Sequence, residues 1–364
     1  MATANLSGNA KQKTVEQLFC PENLTAAAEI HSQLSFLSVL NIFLSVTSFL
    51  GNALILAALR KESSLHPPSK LLLRCLTTTD LCVGLIAEPL AVAYWMSLLN
   101  GHWNSCPYAS AASMISCIIL SGVSLLTMTA ISVDRLLALL LGLRYRQFVT
   151  LKRTYMTVVV VWALPTAITT TTYFWNSFIT LWLILITVSL CLVTSIISFT
   201  KIFLTLRHHQ AQLQVQPQQP NKTSPLNIAK YKKAVSSAIW LQLAMVACYL
   251  PQGLVAALFP YSGLSSSVFL AFQYAATLVL LNSSLNPILY CWKMQEVRQA
   301  VKDTIRQLLC RSTSAVVEFY HPQFLTLRLS LRRSQNAFWR VKCCENISKI
   351  LNYLRNRPTS TKYD

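Results

Sequence analysis

Asn282-Ser283-Ser284-Leu285-Asn286-Pro287-Ile288-Leu289-Tyr290 lies inside an apolar run that extends from about Val268 to Trp292. A run of that length crosses the ~30 Å hydrocarbon core of a bilayer. Polar groups at that depth are costly unless other helices partner them. Pro287 removes a backbone hydrogen bond and bends the helix that carries it. The stretch therefore predicts a membrane helix packed in a bundle, with Asn282 and Asn286 partnered from neighbouring helices.

Six further apolar runs precede it, at about Leu34–Leu59, Leu71–Leu98, Ala109–Leu141, Thr154–Trp175, Phe178–Leu204 and Ala234–Phe259. Each reaches the ~20 residues a membrane span requires. The chain has 364 residues, 53% hydrophobic and 12% charged, against roughly 25% charged in soluble domains. Buried core helices of a large soluble enzyme are the alternative, and the near-absence of charge argues against them. The expected fold is an all-α membrane protein, a bundle of seven transmembrane helices followed by a short amphipathic helix.

A net charge of +19 could serve a nucleic acid or a membrane surface. Its distribution decides. Arg60, Lys61, Lys70 and Arg74 flank the first connection, Arg144, Arg146, Lys152 and Arg153 the third, and Lys201, Arg207, Lys222, Lys230, Lys232 and Lys233 the fifth. The opposite connections, Leu99–Ser105, Asn176–Ser177 and Pro260–Ser267, hold no Lys or Arg. By the positive-inside rule the N-terminus is extracellular and the C-terminus cytoplasmic. The charge reads as topology and needs no nucleic acid.

Residues 1–33 form the expected extracellular segment, 34–292 the bundle, 293–310 the amphipathic helix and 311–364 a basic tail. No basic-then-apolar start marks a cleavable signal peptide. Asn5 and Asn23 fit the N-glycosylation pattern. Asn221 fits it too, on the wrong side of the membrane. Residues 210–220 read as a mobile Gln/Pro-rich linker. Met294, Val297, Val301, Ile305 and Leu308 alternate with Lys293, Arg298, Lys302 and Arg306, a helix suited to an anionic membrane face. Cys310 at its end is a candidate for palmitoylation, with a free thiol as the alternative. Of the eleven cysteines, Cys20 and Cys106 fall in segments that could face an oxidising compartment. Tyr94, Trp95, Trp103, Tyr108, Tyr173, Phe174, Trp175, Phe259 and Tyr261 gather at the outer helix ends, most of them as an interfacial belt, with lining a ligand pocket as the alternative for a few.

Ionisable groups at membrane depth are few. Asp80 has candidate partners in Asn52, Ser124, Asn282, Ser283 and Asn286, either as a structural network or with water, a cation or a proton. Glu88 lies one to two turns further out. Arg135 follows Asp134 at the end of the third run. It can hold a local ion pair, offer donors to a docking partner, or simply snorkel. Pro165, Pro251 and Pro287 are candidate hinges. No paired carboxylates, metal cluster or nucleotide loop suggests an enzyme.

Gly51-Asn52, Leu76 through Asp80, Asp134-Arg135, Trp162, Cys248-Tyr249-Leu250-Pro251 and the Asn282–Tyr290 string follow one another along the chain. In that order, on six of the seven runs, they resemble the rhodopsin-like G-protein-coupled receptors, over about Asn41 to Cys310. The resemblance implies a plasma-membrane receptor whose extracellular ligand, a small molecule, lipid or peptide, shifts a two-state bundle. The cytoplasmic end would then recruit a heterotrimeric G-protein and arrestin-like adaptors. It implies a sodium-linked pocket at Asp80, Ser124, Asn282 and Asn286, with no other cofactor. It implies switch roles for Asp134, Arg135, Tyr249, Pro251, Pro287 and Tyr290, and a ligand pocket around Glu88, Tyr94, Cys117, Ser121, Gln252 and Phe272.

The chain departs from the family at Tyr249 (usually tryptophan), Leu136 (usually tyrosine), Phe199 (commonly tyrosine) and Met245 (usually phenylalanine). Run five has no proline. The second outer connection is short and lacks cysteine, so the usual disulfide to the third helix cannot form; Cys20–Cys106 is the alternative pairing. These features are similar to those of melanocortin, cannabinoid and lysophospholipid receptors. Leu280 and Cys117 replace the residues that mark light and amine receptors. Two rival readings remain, a non-signalling scaffold or heterodimer partner and a cation channel or transporter.

Overall fold

The computed structural model describes residues 20, 28–61, 66–174, 177–215, 225–262, 265–293 and 297–307. Seven long helices run through them. They are α1 (Ala28–Lys61), α2 (Pro67–Leu99), α3 (Cys106–Leu141), α4 (Leu151–Phe174), α5 (Ser177–Val215), α6 (Pro225–Ser262) and α7 (Ser266–Lys293). The described residues contain no strand. Contacts separate Met1–Val297 from Arg298–Asp364. In the second unit residues 298–307 are helical, with Ala300, Val301 and Thr304 buried and Arg298 and Lys302 exposed.

Among the described residues, six of the long helices are apolar enough over a membrane length to count as spans. α4 carries Thr154, Thr157, Thr166 and Thr169 within its apolar stretch. Its hydroxyls do not stand free. Thr154, Thr157, Thr166 and Thr169 each donate to the carbonyl four residues back, at 2.8–3.1 Å. A hydroxyl satisfied in this way can sit in an apolar medium.

α1 packs on α2 and α7, α7 on α6, α6 on α5, α5 on α4, and α4 on α2. α3 runs through this ring and touches α2, α4, α5 and α6. It ends at Gly142, whose φ of +49° suits only a residue without Cβ. The outer surface is apolar: Val39, Phe43 and Leu50 of α1, Val159 and Val160 of α4, and Leu190 and Val193 of α5 are exposed. The interior holds Asn41, Asn52, Asp80, Glu88, Asn282 and Asn286, all inaccessible to solvent. Apolar outside with polar inside is the arrangement a bilayer demands.

Two expectations need correction. Residues 210–215 of the expected linker are helical, because Gln, Ala and Leu favour a helix. Residues 216–220 lie outside the described ones, as do Asn5, Asn23, Asn221 and Cys310. Tyr94 and Trp95 do not belong to an interfacial belt: they are 5% and 1% exposed, and Trp95 Nε1 donates to Gln273 Oε1 of α7 at 3.0 Å. Tyr108, 79% exposed, does face outward. The side chains of Tyr173, Phe174, Trp175, Phe259 and Tyr261 lie outside the described ones.

α2 is regular from Pro67 to Cys82, widens into a π turn at Val83–Ala87 and continues from Glu88 to Leu99. Pro89 accounts for the widening, since it lacks an N–H and crowds the preceding turn. The wider turn advances less per residue, which rotates Glu88 back towards the face that carries Asp80. Its carbonyls also gain outside partners, and Ser45 Oγ of α1 donates to Gly84 O at 2.6 Å.

Glycines allow three close crossings to be ranked. A Cβ at Gly84 would stand 2.8 Å from Phe49 N and 2.9 Å from Ser45 O, both backbone atoms of α1. At Gly51 it would meet the Pro287 ring at 3.0 Å, and at Gly253 only Val188 at 3.8 Å. Gly84→Ala is therefore expected to lower stability by about 1–3 kcal/mol or more. Gly51→Ala should cost less, and Gly253→Ala should be neutral or stabilising by up to ~1 kcal/mol. Thermal unfolding of the purified chain in lipid discs checks the order; equal costs at Gly84 and Gly253 would contradict the α1–α2 contact.

Candidate functional site

Asp80 sits midway along α2 and is fully buried. Its Oδ1 accepts hydrogen bonds from Ser124 Oγ of α3 at 3.1 Å and Ser283 Oγ of α7 at 2.9 Å. Its Oδ2 accepts from Asn286 Nδ2 of α7 at 2.7 Å. The Asp80 carbonyl accepts from Ser48 Oγ of α1 at 2.9 Å. One residue thus joins four helices. Asn52 extends the junction by donating to Ser283 O at 3.0 Å.

The resemblance placed Asn282 in this pocket, but the donor is its neighbour Ser283. Asn282 Nδ2 instead approaches Met128 Sδ of α3 at 3.4 Å. Successive helical residues point about 100° apart, so only one of the two can face Asp80. Asn52 Oδ1, Asn282 Oδ1 and Asn286 Oδ1 are buried without a hydrogen-bond partner among the described residues. The Asp80 carboxylate and Oδ1 of Asn286, the amide bonded to it, are oxygen donors, the ligand type that hard cations such as sodium prefer.

Tyr249 of α6 donates its hydroxyl to Ser121 O of α3 at 2.9 Å. Ser121 itself donates to Cys117 O one turn away. Pro251 lies within α6, two residues beyond Tyr249. Below Tyr249, Met245 is fully buried and receives Ser195 Oγ of α5 at 4.0 Å. Ser132 Oγ donates to Gln242 Oε1 at 2.6 Å, a second tie between α3 and α6. A cavity of about 20 Å³, room for one water, lies between Leu76, Met128, Ser132, Gln242 and Met245. Gln242 Nε2 is buried without a partner there. Tyr290 is fully buried and its hydroxyl has no partner among the described residues.

At the basic end, of the roles left open for Arg135, the local ion pair with Asp134 is absent among the described residues. Asp134 is occupied by Ser69 Oγ at 2.8 Å and Tyr145 Oη at 2.6 Å. Among the described residues the ion pair present is Arg306–Asp303, at 3.9 Å. Arg135 is half-buried. Tyr145 lies in the short helix Tyr145–Phe148 between α3 and α4, with its ring 5.2 Å from that of His66. Burial first, and then the bond to Asp134, push its phenol up to about 12.

At the other end, Cys20 is disulfide-bonded to Cys106 at the start of α3. Of the residues expected around a ligand, Glu88 and Tyr94 are buried, and Cys117, Ser121, Gln252 and Phe272 are partly so. Glu88 has no hydrogen-bond partner for either oxygen among the described residues, and neither has Gln252 Oε1. Sequence reading overlooked Ser69, Tyr145, Ser132 and Gln242. Gln242 was detectable, being an amide between apolar residues in α6. Tyr145 carries no signal, since only folding brings its connection back against Asp134.

Tyr145→Phe is expected to lower stability by about 2 kcal/mol, since a charge-assisted bond to Asp134 is lost. A raised phenol contributes stability that is intact below its ordinary value and lost as pH rises through the folded one. The parent should therefore lose stability relative to Tyr145→Phe between pH 10 and about 12. Parallel unfolding curves across that window check it, and a constant difference between the two proteins would contradict it.

The profile of one family, described as 7 transmembrane receptor (rhodopsin family), matches residues 51–290. The match begins at Gly51, which seats the Pro287 ring, passes through Asp80, Asp134-Arg135 and Tyr249, and ends at Tyr290. It covers about two thirds of the 364 residues, and with it Asp80, Ser124, Ser283 and Asn286. The chain belongs to the rhodopsin family of seven-transmembrane receptors, as a multi-pass membrane protein.

Proposed function

We propose that the protein is a plasma-membrane receptor that binds an extracellular ligand and signals through heterotrimeric G-proteins. The N-terminus and the Cys20–Cys106 end face outside, and the basic Arg135 end faces the cytoplasm. The observation that carries this reading is at Arg135. With the Asp134 carboxylate already taken by Ser69 and Tyr145, the guanidinium keeps its donors for a docking partner.

The two halves of the bundle are held unequally, which supports a two-state response. α1, α2 and α7 are tied by Asn41–Thr277, Thr47–Ser284, Asn52–Ser283, Trp95–Gln273 and the Asp80 bonds. α6 is tied to α3 by Tyr249–Ser121 and Ser132–Gln242. Release of those bonds loosens α6 from α3, while its packing on α7 persists. Pro251 and Pro287 supply the bends about which α6 and α7 rearrange. Tyr290, buried with a free hydroxyl, gains a partner only if its surroundings change.

Of the residues implied for a sodium pocket, Asp80, Ser124 and Asn286 fit such an ion by donor chemistry, whereas Asn282 turns towards Met128. Their part is to hold α2, α3 and α7 in the unsignalling arrangement, and the ion would supply the charge that neutralises Asp80. The membrane-facing helix near residues 297–307 and Cys310 would anchor the cytoplasmic side to lipid, where arrestin-like adaptors also bind. Asn5 and Asn23 would carry glycans. No catalytic role is assigned.

Second-messenger output at matched surface expression tests the reading in cells. The parent should exceed mock cells, Arg135→Ala should reduce that output at least ~10-fold, equivalent to 1.4 kcal/mol of lost docking, and Asp80→Asn should remove its dependence on sodium. Output unchanged by Arg135→Ala would overturn the docking role; a sodium current carried by the parent would favour a channel.

A further inference from the structure

One layer of the bundle is short of hydrogen-bond donors. Ser45 meets Gly84 across α1 and α2. One turn towards the disulfide end from that contact stand Asn41 on α1 and Glu88 on α2. Tyr249 meets Ser121 across α6 and α3. One turn towards the same end stand Gln252 and Cys117, and Cys117 lies within electrostatic reach of Glu88. In this layer Asn41 Oδ1, Glu88 Oε1, Glu88 Oε2 and Gln252 Oε1 are all buried without a partner among the described residues. Every orphan is an acceptor, and none is a donor.

Glu88 is 0% exposed. A charged carboxylate so placed, with neither donor nor counter-ion, is far from a stable arrangement. The bundle itself cannot answer it. From this layer to the disulfide end the described helices and connections contain no Lys or Arg. What the layer lacks is a group that carries positive charge and several N–H donors together.

We propose that Glu88, with Gln252 and Asn41, binds a cationic nitrogen group of the ligand, an ammonium or guanidinium. The inference rests on the receptor reading and deepens it by naming what the ligand carries. A wholly apolar lipid would leave all four oxygens unpartnered. A basic amine, or the Lys, Arg or N-terminus of a peptide, satisfies them. Tyr94 and Trp95, buried on the same helix, lie about two turns nearer the disulfide end.

A tethered cation tests this without knowing the ligand. Cys117→Lys places an ammonium beside Glu88, and thermal unfolding of the full chain in lipid discs reads the outcome. The melting temperature of Cys117→Lys should fall by on the order of 5–10 °C more in a Glu88→Gln background than in the parent, because the buried cation then loses its partner. Equal falls in the two backgrounds overturn the proposal, and they are what a permanently neutral, structural Glu88 predicts. If Cys117→Lys fails to fold in both, the mirror variant Cys117→Asp decides. Glu88→Gln should relieve its destabilisation if Glu88 accepts a charge there, and leave it unchanged if not. Unfolding needs no G-protein. Coupling between positions 88 and 117 in a silent protein would defeat the signalling reading alone, whereas a signalling protein without coupling would defeat this site alone.

Discussion

The Asp80 carboxylate organises the interior. Three side-chain donors from α3 and α7 converge on it, and its own backbone carbonyl holds α1 through Ser48. In hydrocarbon a carboxylate without such donors is intolerable. The helices that bring Ser124, Ser283 and Asn286 are therefore constrained in rotation and depth together. Gly51 then admits the Pro287 ring, and Gly84 lets the α1 and α2 backbones touch. Packing elsewhere in the bundle is compatible with this junction because small residues stand where helices cross.

Polarity is graded along the bundle. At the Asp80 level donors and acceptors nearly balance, with three amide oxygens left over. Towards the disulfide end acceptors accumulate around Glu88. Towards the basic end, the orphans include a donor, Gln242 Nε2, and the Tyr290 hydroxyl. Bulk water does not reach such groups in the bilayer core, so each imbalance is a set of buried polar atoms left unsatisfied among the described residues.

The departures from the usual family residues acquire physical meaning from these contacts. Tyr249, where the family usually has tryptophan, uses its hydroxyl to bond Ser121 O across to α3. Met245, in place of phenylalanine, takes a hydroxyl contact from Ser195. Phe199 has no hydroxyl and stacks on Phe203 with ring centroids 6.3 Å apart. α6 is thus held by bonds particular to this chain, and Ser132–Gln242 is one of them.

Sequence alone determined the membrane class, the helices and the family, because length, apolarity and the string from Asn282 to Tyr290 are local properties of the chain. It also singled out Asp80, since an acid at membrane depth is conspicuous whatever surrounds it. Tertiary structure decided which neighbours serve it. Ser283 rather than Asn282 faces Asp80, a choice set by the rotation of a bent helix. The π turn before Glu88, the inward turn of Trp95 and the capture of Asp134 by Tyr145 likewise depend on how separate segments meet. Periodicity tells which residues share a face, but hydrogen bonds between helices require their relative rotation and depth, and only packing supplies those.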